Sequence, residues 1–190
     1  MSKTQWLWRR LVLVLLLGVL GTSSAACADP DQASPQVGAD SPAAAAAGFF
    51  STLNAALQDP TLDTFDTRRS YAERMAAYFP PSERMTYRQT LQEMLAAFAD
   101  GKANIPADQE LSLVLEYDDL DVQQLSEQQA TVRLIGGSLR YRLIRTTETG
   151  FREVLFDRQY TLATVLGLES GDFPAVQFEG RWYLSAKPVS

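Results

Sequence analysis

The chain reads as an α+β protein, with helices in its first half and an antiparallel sheet in its second. Three observations predict this. Apolar residues recur at helical spacing as far as Phe98. From Glu110 the period changes to strict alternation. Turn-forming clusters, among them Thr147 to Gly150 and Glu179-Gly180, then separate the alternating runs. Segregated helices and strands of this kind pack as helices on one side of an antiparallel sheet.

The helical half opens at Ser41-Pro42, an N-cap followed by proline in the first turn. Ala46, Phe49, Phe50, Leu53 and Leu57 then lie on one helical face, and Asp59-Pro60 stops the helix. Leu62, Phe65, Tyr71, Met75, Tyr78 and Phe79 predict a second, broken helical stretch that ends at Pro80-Pro81. A fresh start at Ser82 and Met85 leads into a third helix through Tyr87, Leu91, Met94, Leu95 and Phe98, with Gly101 as its C-cap.

In the second half Leu111, Leu113, Leu115 and Tyr117 alternate with polar neighbours and Val114. Val132 and Leu134 continue the pattern, followed by Leu139, Tyr141 and Leu143. Gly136-Gly137 marks either a bulge that bends one long strand or a turn between two strands. A hairpin turn at Thr147 to Gly150 leads into Phe151–Thr164, Gly167 to Pro174 reads as a loop, and Glu179-Gly180 closes a last hairpin. Leu111, Leu113, Leu115, Val132, Leu134, Leu139, Tyr141, Leu143 and Trp182 are expected to face the helices.

The first residues have a different character. Lys3, Arg9 and Arg10 precede an unbroken apolar run from Leu11 to Leu20, then small residues, then Cys27, the one cysteine in the chain. That order is the order of a secretory signal peptide. A cysteine directly after the small residues resembles the bacterial lipoprotein signal, which implies that Cys27 is lipidated and becomes the mature N-terminus. The lipoprotein box usually has an aliphatic residue three places before the cysteine, where this chain has Ser24. Two other outcomes compete: ordinary cleavage after Ala26 or Ala28, and an uncleaved anchor formed by the 18 uncharged residues from Leu11 to Ala28. Arg9-Arg10 fits the charged start of a general export signal better than a twin-arginine signal. The expected organisation is a signal peptide at 1–26, a lipidated cysteine and polar disordered tether at 27–41, and one domain at 42–190.

Composition narrows the chemistry. Loss of the first 26 residues removes Lys3, Arg9 and Arg10 and no acidic residue, taking the formal charge from −6 to −9. An acidic domain lacks the basic footprint of nucleic-acid binding. With no histidine in the chain, Ser-His-Asp and Cys-His catalysis and histidine-ligated metals are excluded. With Cys27 at the terminus, thiolate catalysis and zinc–sulfur sites go as well. No cofactor motif is present.

The order of elements resembles the NTF2-like superfamily, on the strength of Phe49-Phe50 with Leu53 in the first helix, Gly136-Gly137, and the closing Phe178-Glu179-Gly180-Arg181-Trp182-Tyr183-Leu184. The resemblance covers about residues 42 to 186. It implies helices packed on a strongly curved antiparallel sheet to make a cone. A cystatin-like sheet wrapped on helices, or an unrelated α+β domain, would give much the same string.

Three residue groups are candidates for chemistry. Glu116, Asp118, Asp119 and Asp121 supply oxygen ligands of the kind calcium uses, but lack EF-hand spacing, so a solvated turn is the simpler expectation. Arg140 and Arg142 share one strand face and offer an anion contact, with Arg133, Arg152 and Arg158 as neighbours across the sheet. Cross-strand pairing with Glu148, Glu153 and Asp157 is the competing use of those arginines. The resemblance implies an acid–base pair at the open end of the cone in catalytic members. Here only an Asp–Tyr pair drawn from Asp59, Asp63, Asp66, Tyr71, Tyr78, Tyr141 and Tyr160 is available. The expected role is a non-catalytic binding or scaffolding domain, exported and held on the cell membrane by its lipid. The membrane and an envelope protein are its expected partners, and the outer membrane its location in a host with two. The alternative is a small-molecule binder or a lyase- or isomerase-type enzyme using the cone pocket.

Overall fold

Ser41 and Pro42 start the first helix as the sequence predicts: the Ser41 hydroxyl accepts from the Ala44 amide at 3.1 Å, with Pro42 in the first turn. The computed structural model describes residues 38–161 and 172–185. Its helices are α1 (Pro42–Gln58), α2 (Phe65–Ala76) and α3 (Pro81–Ala103). The strands are β1 (Gln109–Glu116), β2 (Asp119–Ser126), β3 (Gln129–Ile135), β4 (Ser138–Thr146), β5 (Arg152–Thr161), β6 (Asp172–Phe178) and β7 (Arg181–Leu184). Every strand pairing among the described residues is antiparallel, so the α+β class holds.

The strands form two sheets, in the orders β1-β4-β5 and β2-β3-β6-β7. One long hairpin joins them. Glu116 pairs with Ser138 and Asp119 with Ile135, so the register is unchanged where β1 passes into β2 and β3 into β4. Tyr117-Asp118 therefore stands opposite Gly136-Gly137, and both arms bend together. Gly136 has φ +68°, and a Cβ there would lie 2.1 Å from Asp118 Oδ2, so glycine is favoured at the corner and a larger residue must displace the Asp118 side chain. Of the two alternatives at Gly136-Gly137 the second holds in part: a turn at Gly136 separates β3 from β4, but it bends the chain without reversing it, and no residue is inserted as a bulge. The bulge lies elsewhere. Leu143 pairs with Phe156 and Ile144 with Val154, which leaves Leu155 as the extra residue of β5.

Helix α1 packs against β1, β2, β3 and β7, and α2 packs on both other helices. Phe50, Leu62, Met75, Leu95 and Val132 are the largest fully buried side chains. Phe50 meets Phe49 and Phe173 edge-on, at ring distances of 5.3 and 5.2 Å. Trp182 is 7 % exposed, in the core as expected.

Several expectations change. The third helix runs past Gly101 to Ala103, and Asn104 is its C-cap, so Gly101 does not end it. Phe65 and Met94 point to solvent rather than the core. The expected loop to Pro174 gives way to β6 from Asp172, because β6 has β3 as a partner; the stretch 167–171 lies outside the described residues. Gly38, Ala39 and Asp40 belong to the fold rather than the tether. Gly38 N–H donates to the Ala77 carbonyl, Ala39 bridges Trp182, and Arg181 holds Asp40. Of the nine side chains expected to face the helices, Leu115, Val132, Leu134, Leu139 and Trp182 join the core, whereas Leu111, Leu113, Tyr141 and Leu143 are only half-buried outside it. They share a face with Leu115 and Leu139, but the helices cover only the inner end of that face. The described residues contain no helix long and apolar enough to cross a membrane. The expected signal segment 1–26, the candidate span and Cys27 lie outside them.

Candidate functional site

Alternation and register place two distinct surfaces on the β1-β4-β5 sheet, since residues opposite one another on antiparallel strands share a face. On one face Arg140 donates to Asp157 through two bonds, 3.0 Å from Nε to Oδ1 and 2.8 Å from the terminal nitrogen to Oδ2. Arg142 Nε lies 3.5 Å from the same carboxylate. The Arg140 guanidinium, its main partner, holds the Asp157 carboxyl below its usual pKa, and Arg140 is raised in turn. The predicted anion contact at Arg140 and Arg142 is thus filled by a carboxylate of the chain itself. Arg152 likewise meets Glu110 at 2.7 Å, and Arg133, on the other sheet, takes Asp172 at 2.6 Å.

Arg158 is not a neighbour of these groups. The bulge at Leu155 inverts the side-chain parity along β5, so Arg152 opposite Thr146 and Arg158 opposite Tyr141 lie on different faces. Arg158 is exposed, its guanidinium 5.3 Å from the centre of the Phe156 ring. Phe156 meets Tyr141 edge-on at 5.1 Å. Tyr141, Leu143, Phe156 and Tyr160 line an open trough of about 300 Å³. Tyr141 and Tyr160 were named by the sequence as acid–base candidates; here their rings form walls.

A second depression lies between α2 and α3, lined by Glu73, Ala76, Pro81, Arg84, Met85 and Arg88. Its cations have partners: Arg88 lies 4.0 Å from Glu73, and Arg84 donates to the Phe79 carbonyl at 3.4 Å.

The structure does form one Asp–Tyr pair. The Tyr71 hydroxyl donates to Asp59 Oδ2 at 2.9 Å, and Asp59 Oδ1 accepts from the Thr61 hydroxyl at 2.7 Å and the Thr61 amide at 2.8 Å. The Thr61 bonds, above all, lower the Asp59 pKa. Burial and the Asp59 bond raise that of Tyr71. Each group moves away from neutrality, the wrong direction for proton exchange near pH 7. The pair clasps the α1–α2 connection. Asp63 and Asp66 are exposed on that connection and the first turn of α2, and Tyr78 packs against Gly48.

The acidic cluster divides across the bend. Glu116 ends β1, Asp118 faces Gly136, and Asp119 and Asp121 belong to β2, a strand where a turn is expected from the sequence. All four are exposed, and no three His, Cys, Asp or Glu side chains among the described residues gather as a metal site. Leu120 and Val122, alternating with the aspartates, were the missed strand signal.

No known protein family matches this chain, and no characterised protein is significantly similar to it, so the residues and their geometry carry the functional argument.

Proposed function

We propose that this chain is an exported lipoprotein, anchored through Cys27, whose domain binds a ligand or envelope partner and does no chemistry. The trough carries this reading: it is open, its walls are aromatic and aliphatic, and the acid–base pair stands elsewhere with both pKa values displaced from neutrality. Ligand sites commonly have this make-up, a mostly apolar concavity with few polar groups. The domain is in this reading an NTF2-like cone, supported by the register-preserving bend of the long hairpin and by α1 lying across β1, β2, β3 and β7.

The anchor reading is supported by the order of residues before Cys27 and by the firm attachment of Gly38–Asp40 to β7. Lipoprotein processing supplies the two or more acyl chains that stable anchoring needs. Mass spectrometry of the chain from its native envelope is the test. An acylated N-terminal Cys27 is expected, lost in Cys27→Ser without change in the fold of residues 42 to 186. A chain that begins at Asp29, or an unmodified Cys27, overturns the anchor.

A further inference from the structure

Five arginines lie on β4 and β5, and four of them have carboxylates. Arg140 and Arg142 share Asp157, Arg145 lies 3.5 Å from Asp108 and 3.8 Å from Glu153, and Arg152 meets Glu110. Arg158 has no carboxylate partner among the described residues. It is also the one of the five whose guanidinium lies over an aromatic wall of the trough. In a chain with more acidic than basic residues, an exposed arginine that lies over an aromatic ring and is left without a carboxylate is a cation available to a ligand.

We infer that the trough binds an amphipathic carboxylate, with its apolar body against Tyr141, Leu143, Phe156 and Tyr160 and its single carboxylate on Arg158. The inference rests on the binding reading above and names the ligand class for that site. The volume, about 300 Å³, is at the small end for ligand sites, which fits a medium-length acyl chain or one ring system. An Arg–carboxylate pair beside apolar walls is strengthened by partial loss of water and by the planar fork of the guanidinium. A ligand with a positive head group would meet Arg158 and be repelled. A neutral one would gain only the apolar contact.

The test is calorimetric titration of residues 28–190, which include the whole compact unit Pro35–Ser190. The probes are decanoate and decan-1-ol, both below their aggregation limits. Decanoate is expected to bind at least about tenfold more tightly than decanol, a difference of about 1.4 kcal/mol. Arg158→Gln should bring decanoate down to the affinity of decanol and leave decanol unchanged. Leu143→Glu should abolish binding of both, and circular dichroism of each variant checks its fold. Equal affinities in the unaltered chain, an unaffected Arg158→Gln, or no binding of decanoate overturns the proposal. The anchor is judged separately: a silent titration with acylated Cys27 removes the ligand class and leaves a tethered domain.

Discussion

The two sheets of this domain solve the same problem in different ways. The β2-β3-β6-β7 sheet and the adjoining end of β1 lie under α1, and their inward side chains, Ala130, Val132, Ala175 and Trp182, are almost wholly buried. The rest of β1-β4-β5 extends beyond helical cover. Its apolar side chains stay half-exposed, and its other face is laced with arginine–carboxylate pairs. Burial stabilises the first region through transfer from water and close packing. Surface pairs stabilise the second much less. The covered region sets the fold, and the uncovered one is free to present a site.

The largest test of this difference is a pair of matched truncations. Phe50→Ala should cost about 3–5 kcal/mol, as a buried aromatic in a close-packed cluster. Phe156→Ala, on the half-open face, should cost about 1 kcal/mol. Urea midpoints at equal m-value measure both. Comparable losses would mean that the trough is core and that the distinction between the sheets is wrong.

Local chemistry was legible in the sequence, and pairing was not. Ser41-Pro42, Asp59-Pro60 and Glu179-Gly180 announce a cap, a stop and a hairpin because each acts within a few residues. In the hairpin Glu179 and Gly180 both take positive φ, 51° and 77°, as a two-residue turn requires. The division into two sheets depends on which residue of β1 faces which of β4, and alternation alone carries no register. Strand β2 escaped notice because its wet face is Asp119, Asp121 and Gln123, a composition shared with turns. The Leu155 bulge hid the candidate site, since Arg152 and Arg158 have the same parity in the sequence and opposite faces in the structure. Asp59 and Tyr71 were both candidates, yet nothing in their spacing said that they meet.

At the boundary between the regions Asn54 of α1 closes the backbone of β1. Its amide donates to the Leu115 carbonyl at 2.7 Å, and its carbonyl oxygen accepts from the Leu115 amide at 2.8 Å. Leu115 is buried, so Asn54→Ala leaves a donor and an acceptor unmatched and should cost about 1–3 kcal/mol. Hydrogen exchange at Leu115 should rise more than at Val132. An unchanged Leu115 rate would show that the seam between helix and open sheet does not depend on this side chain.

Two glycines give effects of opposite sign. Gly136→Ala meets Asp118 at positive φ and should destabilise by about 1–3 kcal/mol. Gly101 is helical, with open space where a Cβ would stand, so Gly101→Ala should stabilise by about 1 kcal/mol. A destabilised Gly101→Ala would instead support the C-cap that the sequence alone suggested. Thermal unfolding of the two variants reads both signs.

The smallest expected effect distinguishes the two regions by what holds a carboxylate. Asp59, in the helical layer, and Asp157, on the open sheet, both have lowered pKa values in the folded chain. A lowered carboxyl pKa adds stability that is present above the unfolded value, about 4, and is lost as pH falls through the folded value. Asp59→Asn and Asp157→Asn should therefore each flatten the loss of stability as pH falls below the unfolded value. Their causes differ. Asp59 is held first by the Thr61 hydroxyl and amide, which are neutral local donors, and Asp157 by the exposed Arg140 guanidinium. Salt screens the second kind of interaction and not the first. At about 0.5 M sodium chloride, well under a 10 Å Debye length, the Asp157→Asn difference should shrink while that of Asp59→Asn persists. On the alkaline side the raised Tyr71 pKa adds stability below about pH 10 that is lost as the phenol ionises, so the same clasp should loosen at both extremes. Equal salt sensitivity of the two variants would show that the open sheet and the helical layer hold their charges alike.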